Sequence, residues 1–505
     1  MITPECFWDT ERPLPARQIS TELEGNLQLL ENSGPDNFIG DLALTRRGVN
    51  HHGKFLGEAH GSGKLYVDVG QHTEIAGGVA LGPAKAADED SQNTGRLAAI
   101  IDASGLDHKG LFRTAGTNIP ANLGRNSKEN GYSNGYHENL LVAREIVDDP
   151  DDGGNPEGRL FDNLVASSLA SRLWAMGGAL LEDGFVFSQK AWGIGGDPIE
   201  RGMRRRTDHG NKPMVLVPSV QSDADTIGNA AWARAEVRMA DPGLSLAGRF
   251  LSFAATSLTL RVLELQKSRV GKAGMLEAPL DRRSLFAACL QDPVLAAKIY
   301  AADLTLTKTA TTLAGEQFTA LDVQERLLEA FEALPRYCLL PKDELLAIKG
   351  IRRVVDAFRA SRPQDADYTL DALLLSDCAP RHRVVSTGRD PHTLTGRDPV
   401  LMSRDLRWGL SLPPRIDGKV GPEGLGPRYW KRQAERGNDA FDREVRKLAA
   451  ASALSERDRR RAAIIDDPED KRRVLDWVHY TSDGKTYSFG GPYGESDEQL
   501  MARAA

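Results

Sequence analysis

Residues 233–254 read ARAEVRMADPGLSLAGRFLSFA, and the period of the pattern changes midway. Arg234, Glu236 and Arg238 alternate with Ala235 and Val237, so on a strand all three charged side chains share one face. After the Asp241-Pro242 step, apolar residues recur every three or four positions from 244 to 266, which predicts a helix. A strand, a D-P turn and an apolar helix in succession would hold the charged face rigidly over a cavity. A carboxylate between two guanidiniums is either a salt-bridge ladder or a site for metal and phosphate.

KLYVDVG (64–70) is β-rich and bounded by glycine, and NGYSNGYHENLLVAR (130–144) starts as a turn and becomes a strand. His137 and Glu138 are adjacent, so on that strand they face opposite ways and only one can line a given site. A lone histidine there is either a structural residue or a ligand. MITPECFW opens the chain as a short strand, and RQISTELEGNLQLLENS (17–33) places Ile19, Leu23, Leu27 and Leu30 on one helical face. Residues 77–93 are small and acidic and read as loop. Helices are expected over 164–176, 318–334, 342–360 and, highly charged, 430–464. Residues 379–428 are rich in Pro, Gly and Arg, carry TGRDP twice (387–391 and 395–399), and read as a linker. RVLDWVHYTSDGKTYSF near the C-terminus reads as strand, turn and strand. The class is α+β with a mostly antiparallel sheet.

Composition narrows the function. The 505 residues carry 64 Lys and Arg against 71 Asp and Glu, a net charge of −7, so no global basic field draws the chain to nucleic acid or anionic lipid. Four cysteines without C-x-x-C spacing fit reduced thiols better than a disulfide scaffold. The acidic N-terminus lacks the pattern of a signal peptide, and no apolar run reaching ~20 residues is evident. The expectation is a cytoplasmic protein that binds neither membrane nor nucleic acid.

Several stretches resemble known enzymes. Residues 234–242 resemble the R-I-E-V-R-F-P-D-P motif of glutamine synthetases, which is likewise followed by a long apolar helix. Residues 133–141 resemble the S-Y-G-C-H-E-N-Y-L stretch of the Pup ligases and Pup deamidases, which attach or remove prokaryotic ubiquitin-like protein and share the glutamine synthetase fold. KLYVDVGQHTEIA (64–76) is similar to R-L-Y-L-D-V-G-S-H-P-E-Y-A of the ligases. ALDVQER (320–326), the 171–191 segment and LDWVHYTSDGK (475–485) match further family stretches in family order. On these motifs the chain is identified as a divergent member of the Pup ligase and deamidase family.

The resemblance implies a glutamine-synthetase-like catalytic domain over 1–415 and a small C-terminal domain, 416–505, that closes on the nucleotide through Trp477. It implies ATP and Mg²⁺, with Glu5, Glu74, His137 and Glu236 holding metal, Arg234 and Arg238 holding phosphate, and Asp68 as the base. Mg²⁺ prefers hard carboxylate oxygens, and a second carboxylate can take the proton of an attacking amine. The plain structural alternative makes Asp68 and Glu74 turn residues around Gly70. The family's opening I-E-T-E-F-G has two partial counterparts here. Glu5 is the preferred metal ligand, and Glu22 is assigned to the first helix. The family's N-T-R-D-E-P-H-A-D is only faintly matched by VPSVQSDAD (217–225), and its Arg is absent.

The implied activity is an ATP-dependent carboxylate–amine ligase, with the C-terminal glutamate of a Pup-like protein as donor and a protein lysine as acceptor. The alternatives are a Pup deamidase or depupylase, a ligase of small acids or peptides, and a non-catalytic paralogue. Asp68 and Glu74 are six apart, as in ligases, where the deamidases have five, and the stretch before residue 64 leaves little room for the deamidases' insertion. Both favour ligation.

Overall fold

The computed structural model describes residues 14, 16–29, 54–55, 64–67, 73–77, 80–102, 110–113, 136–147, 160–196, 198–201, 213–217, 232–241, 243–270, 282–409, 415–416, 419–420, 424–451, 479–482, 485–488 and 491–495. Twelve strands among them precede the central helix: β1 (Gln18–Leu29), β2 (Lys54–Phe55), β3 (Lys64–Val67), β4 (Thr73–Ala76), β5 (Ala80–Leu81), β6 (Gly110–Arg113), β7 (Tyr136–Ala143), the hairpin β8 (Ala179–Leu181) and β9 (Gly184–Val186), then β10 (Ile199–Arg201), β11 (Val215–Val217) and β12 (Trp232–Val237). All but the hairpin form one sheet in the order β10-β11-β12-β7-β1-β4-β3-β2, with β5 and β6 also on β1. Its pairings are antiparallel except β10 with β11. The α+β class with a mostly antiparallel sheet is therefore as expected.

One face of the sheet is apolar because residues alternate across it. Ile19 and Leu23 of β1, Leu140 and Val142 of β7, and Ala235 and Val237 of β12 all lie in the main core. They pack against a layer of helices centred on Leu246–Val270, which runs beside Pro83–Asp102, Leu160–Ser171 and Lys342–Ala360. The central helix is long and apolar enough to cross a membrane, yet its Leu246–Gln266 stretch is wholly buried. It is a core helix, and its few charges are matched. Arg17, just before β1, makes a two-pronged contact to Glu264 (2.9 and 2.6 Å) and donates to the Leu141 carbonyl of β7 (2.6 Å). Arg261 sits on Glu344 at 3.3 Å. Buried charges persist only when paired in this way, and here the pairs pin β1 and β7 to the helix.

The structure corrects four expectations. Gln18–Leu29 is a strand, not part of a helix over 17–33. The spacing of Ile19, Leu23 and Leu27 fits either period, but Ser20, Glu22, Glu24, Asn26 and Gln28 alternate with them. Pairing with four neighbouring strands settles the choice. Pro83–Asp102 is a helix, not a loop over 77–93. Its small residues Ala84, Ala86 and Ala87 are strong helix formers that fit a close helix packing. Asp343 accepts from the Ala84 amide at 3.3 Å, which caps the helix from across the fold.

The supposed linker carries the helices Cys378–Ser386 and Pro399–Trp408 and the start of Leu425–Glu435. Each TGRDP copy is a helix start, with Asp390 accepting from His392 N and Asp398 from Val400 N, and a proline in the first turn. The charged helix is two, Leu425–Glu435 and Ala440–Ala451, parted at Gly437 with φ +76. Near the C-terminus, His479–Ser482 and Lys485–Ser488 pair as expected, and Gly491–Glu495 adds a third strand. The opening MITPECFW and the tract after 451 as far as 478 lie outside the described residues.

Candidate functional site

The face of the sheet opposite the core carries the charged residues. β12, β7 and β1 lie side by side, and their register sets Glu22 directly across from His137, and Glu236 directly across from Asn139. Residues 137 and 139 share a face, so Glu22, His137 and Glu236 converge. One ligand atom from each lies within 4.8 Å of the other two. His137 Nδ1 is 2.8 Å from Glu22 Oε2 and 3.7 Å from Glu236 Oε1. Glu138 points the other way, into the core, as the alternation requires.

The two arginines of β12 frame Glu236. Arg234 meets its Oε2 at 2.8 Å and Arg238 Nε donates to its Oε1 at 2.7 Å; Arg234 also stands 3.9 Å from Glu22. Arg234 is 1 % exposed, whereas Arg238 is 25 % exposed and stands at the rim. Burial alone would raise the Glu236 pKa, but the guanidiniums of Arg238 and Arg234, with His137, hold its carboxyl well below the usual carboxylate range. Glu236 is thus an ionised carboxylate in a buried place, which suits a cation.

The donor set is two carboxylates and one imidazole. Glu22 Oε1 is buried and has no hydrogen-bond partner among the described residues. A carboxylate oxygen left bare in this way fits a metal ligand, and the O, N, O set can hold a divalent cation such as Mg²⁺.

The expected site residues are placed unequally. His137, Glu236, Arg234 and Arg238 are brought together. Glu74 lies in β4, and its register partners are Glu24 of β1 and Tyr66 of β3, so it is one step along the same face from the position of Glu22. Glu5, Asp68 and Trp477 lie outside the described residues. Glu22, assigned to a helix from sequence, is the carboxylate that meets His137. The alternation of Ser20, Glu22 and Glu24 with Ile19 and Leu23 is the pattern that identifies it.

A family model described as Pup-ligase protein matches residues 45–480. A Pup–protein ligase of Acidimicrobium ferrooxidans is 23% identical over 448 residues, covering 86% of this chain and 86% of that protein. One from Bifidobacterium adolescentis is 28% identical over 309 residues, covering 59% of this chain and 56% of that protein. The fold is similar to that of the Pup ligase PafA in complex with Pup, at TM-score 0.60 and 16% identity, over 96% of this chain and 91% of that one. PafA in complex with ADP gives TM-score 0.52 at 16% identity over 90% of each. A match that spans most of the chain and encloses both β7 and β12 leaves one conclusion: this chain belongs to the Pup ligase family.

Proposed function

We propose that the chain is an ATP- and Mg²⁺-dependent cytoplasmic Pup–protein ligase. It would activate the C-terminal glutamate of a Pup-like protein and join it to a protein lysine. The observation that carries this reading is the Glu22–His137–Glu236 set, its two carboxylates buried and its histidine half-buried, framed by Arg234 and Arg238, on one face of the sheet in a chain of this family. The curated relatives named above are ligases, which favours ligation over depupylation.

The chemistry follows from what a carboxylate cannot do alone. It is a poor electrophile, so the γ-phosphate of ATP moves to a carboxylate oxygen, giving an acyl phosphate and ADP. The lysine amine then attacks the carbonyl carbon, phosphate leaves, and the amine proton passes to a base. A divalent cation, when bound, would offset the repulsion between phosphate and donor carboxylate. Glu22, His137 and Glu236, with Glu74 on the neighbouring strand, would hold it. Arg238, at the rim, would meet phosphate oxygens directly. Arg234, expected to hold phosphate as well, is buried against Glu236 and would instead keep that carboxylate ionised and oriented. Asp68, six residues before Glu74, is the base that takes the amine proton. The last part of 416–505, with Trp477, would close on the nucleotide, whereas the Ala440–Ala451 helix of that range packs on Pro83–Asp102 and Leu246–Val270 in the main core.

The test is a comparison of ADP formation with and without a Pup-like polypeptide ending in glutamate, and with hydroxylamine present to convert the acyl phosphate to a hydroxamate. The reading predicts donor-dependent ADP and a hydroxamate at the donor's C-terminal residue. Donor-independent ADP, or cleavage of a Pup–lysine isopeptide with no ligation, would overturn it.

A further inference from the structure

Asn139 occupies the middle of the site face, and its side-chain amide goes unsatisfied among the described residues. On β7 it sits between His137 and Leu141, directly across from Ser20 of β1 and Glu236 of β12. Its side chain is fully buried, and neither Oδ1 nor Nδ2 has a partner among the described residues. Because both atoms are bare, exchanging the amide oxygen and nitrogen changes nothing.

A buried primary amide with no partner costs free energy. Packing does not call for it, since the next residue on the same face is an apolar leucine, Leu141. One further oxygen on this face of β1 is in the same condition, Gln18 Oε1. Two of these three bare atoms are acceptors. A phosphate, itself an acceptor, would meet them badly. Water molecules held by a cation would meet them well, because each carries two protons to donate, and Mg²⁺ keeps several waters when it binds protein carboxylates.

Resting on the metal site proposed above, we infer that Asn139 is a positioning residue that holds a water of the cation at Glu22, His137 and Glu236. Its Oδ1 accepts from that water, and it does not ligate the metal itself. Supporting residues of this kind orient the coordination sphere, and their loss typically weakens metal binding about 10–100-fold.

The experiment titrates the purified full-length protein with Mn²⁺ alone, counting free Mn²⁺ by its electron paramagnetic resonance signal, and records melting of the metal-free protein. Asn139→Leu removes the amide while keeping its number of heavy atoms and its branching. We expect affinity to fall about 10–100-fold, with a metal-free melting temperature equal to or above wild type, because an unsatisfied polar group has gone. Asn139→Asp keeps an acceptor at the same point and should bind Mn²⁺ at least as well as wild type. Unchanged affinity in Asn139→Leu overturns the inference while leaving the metal site standing, and so does a tenfold loss in Asn139→Asp, which serves if the leucine variant does not fold. Failure of the wild type to bind Mn²⁺ overturns the metal site and this inference with it.

Discussion

His137 and Glu138 are neighbours in sequence on opposite faces of one strand, so substituting each should break a different property. Glu138 is fully buried in the core. Arg172 meets it at 3.1 and 3.3 Å, Thr256 Oγ1 donates at 2.9 Å, and Ser252 donates as well. Glu138→Gln keeps the shape but removes the charge that balances Arg172, which is itself 1 % exposed. Leaving one partner of a buried pair uncompensated costs about 3–5 kcal/mol. Unfolding entropy of about 2.1 cal/mol/K per residue gives about 1 kcal/mol/K for a chain of 505 residues. The melting temperature should therefore fall by about 3–5 °C, with Mn²⁺ affinity little changed.

His137→Ala removes one hydrogen bond, to Glu22, worth about 1 kcal/mol, so melting should move by about 1 °C or less. Mn²⁺ affinity, however, should fall by more than about 100-fold, beyond what supporting residues cost. Scanning calorimetry and the Mn²⁺ titration read the two effects separately. If Glu138→Gln lost the metal without losing stability, or His137→Ala melted several degrees lower and bound Mn²⁺ normally, the assignment of faces would be wrong.

Three further outcomes follow from named groups. The Glu236 carboxyl is held below its unfolded pKa, so its stabilisation is present above the ordinary carboxylate range and is lost as pH falls through the lower folded value; metal-free Glu236→Gln should show a flatter acid limb in a melting-against-pH profile. Asp343 behaves oppositely. Burial, with Glu344 beside it, pushes its pKa up to about 6, so it costs stability as pH rises from about 4 to 6. Asp343→Asn keeps the acceptor for Ala84 N and should melt higher relative to wild type at pH 8 than at pH 4; an equal difference at both would exclude it. Asp68→Asn should still give the hydroxamate while amide formation drops by about 10²–10⁴; loss of the hydroxamate would make Asp68 a metal or nucleotide residue instead of the base.

The strand, turn and helix of 233–254 were legible because each half has a single period, and the same holds for β7 and the amphipathic helices Ala320–Ala333 and Lys342–Ala360. β1 was not, although it is the strand on which the sheet is built. Apolar residues four apart satisfy both periods, and only pairing across the sheet separates them. The Pro83–Asp102 helix hid behind small and acidic residues that look like loop until Ala84 and Ala87 are seen buried and Asp90 is seen accepting from Tyr136 and Arg249. At the site, the types and spacing of Arg234, Glu236 and Arg238 identified one wall. The opposite wall, Glu22, depended on β1 being a strand, and the bare amide of Asn139 depends on three-dimensional neighbours that no local pattern records.

Glu22, His137 and Glu236 are proposed as the metal site at which a carboxylate is phosphorylated. Hydroxamate formation from ATP and a Pup-like polypeptide ending in glutamate checks this, measured with and without Mg²⁺ for the wild type and for Glu22→Ala. A hydroxamate is expected only in wild type with Mg²⁺, and its loss in Glu22→Ala with the fold retained. Equal hydroxamate from Glu22→Ala at ordinary Mg²⁺ would contradict it.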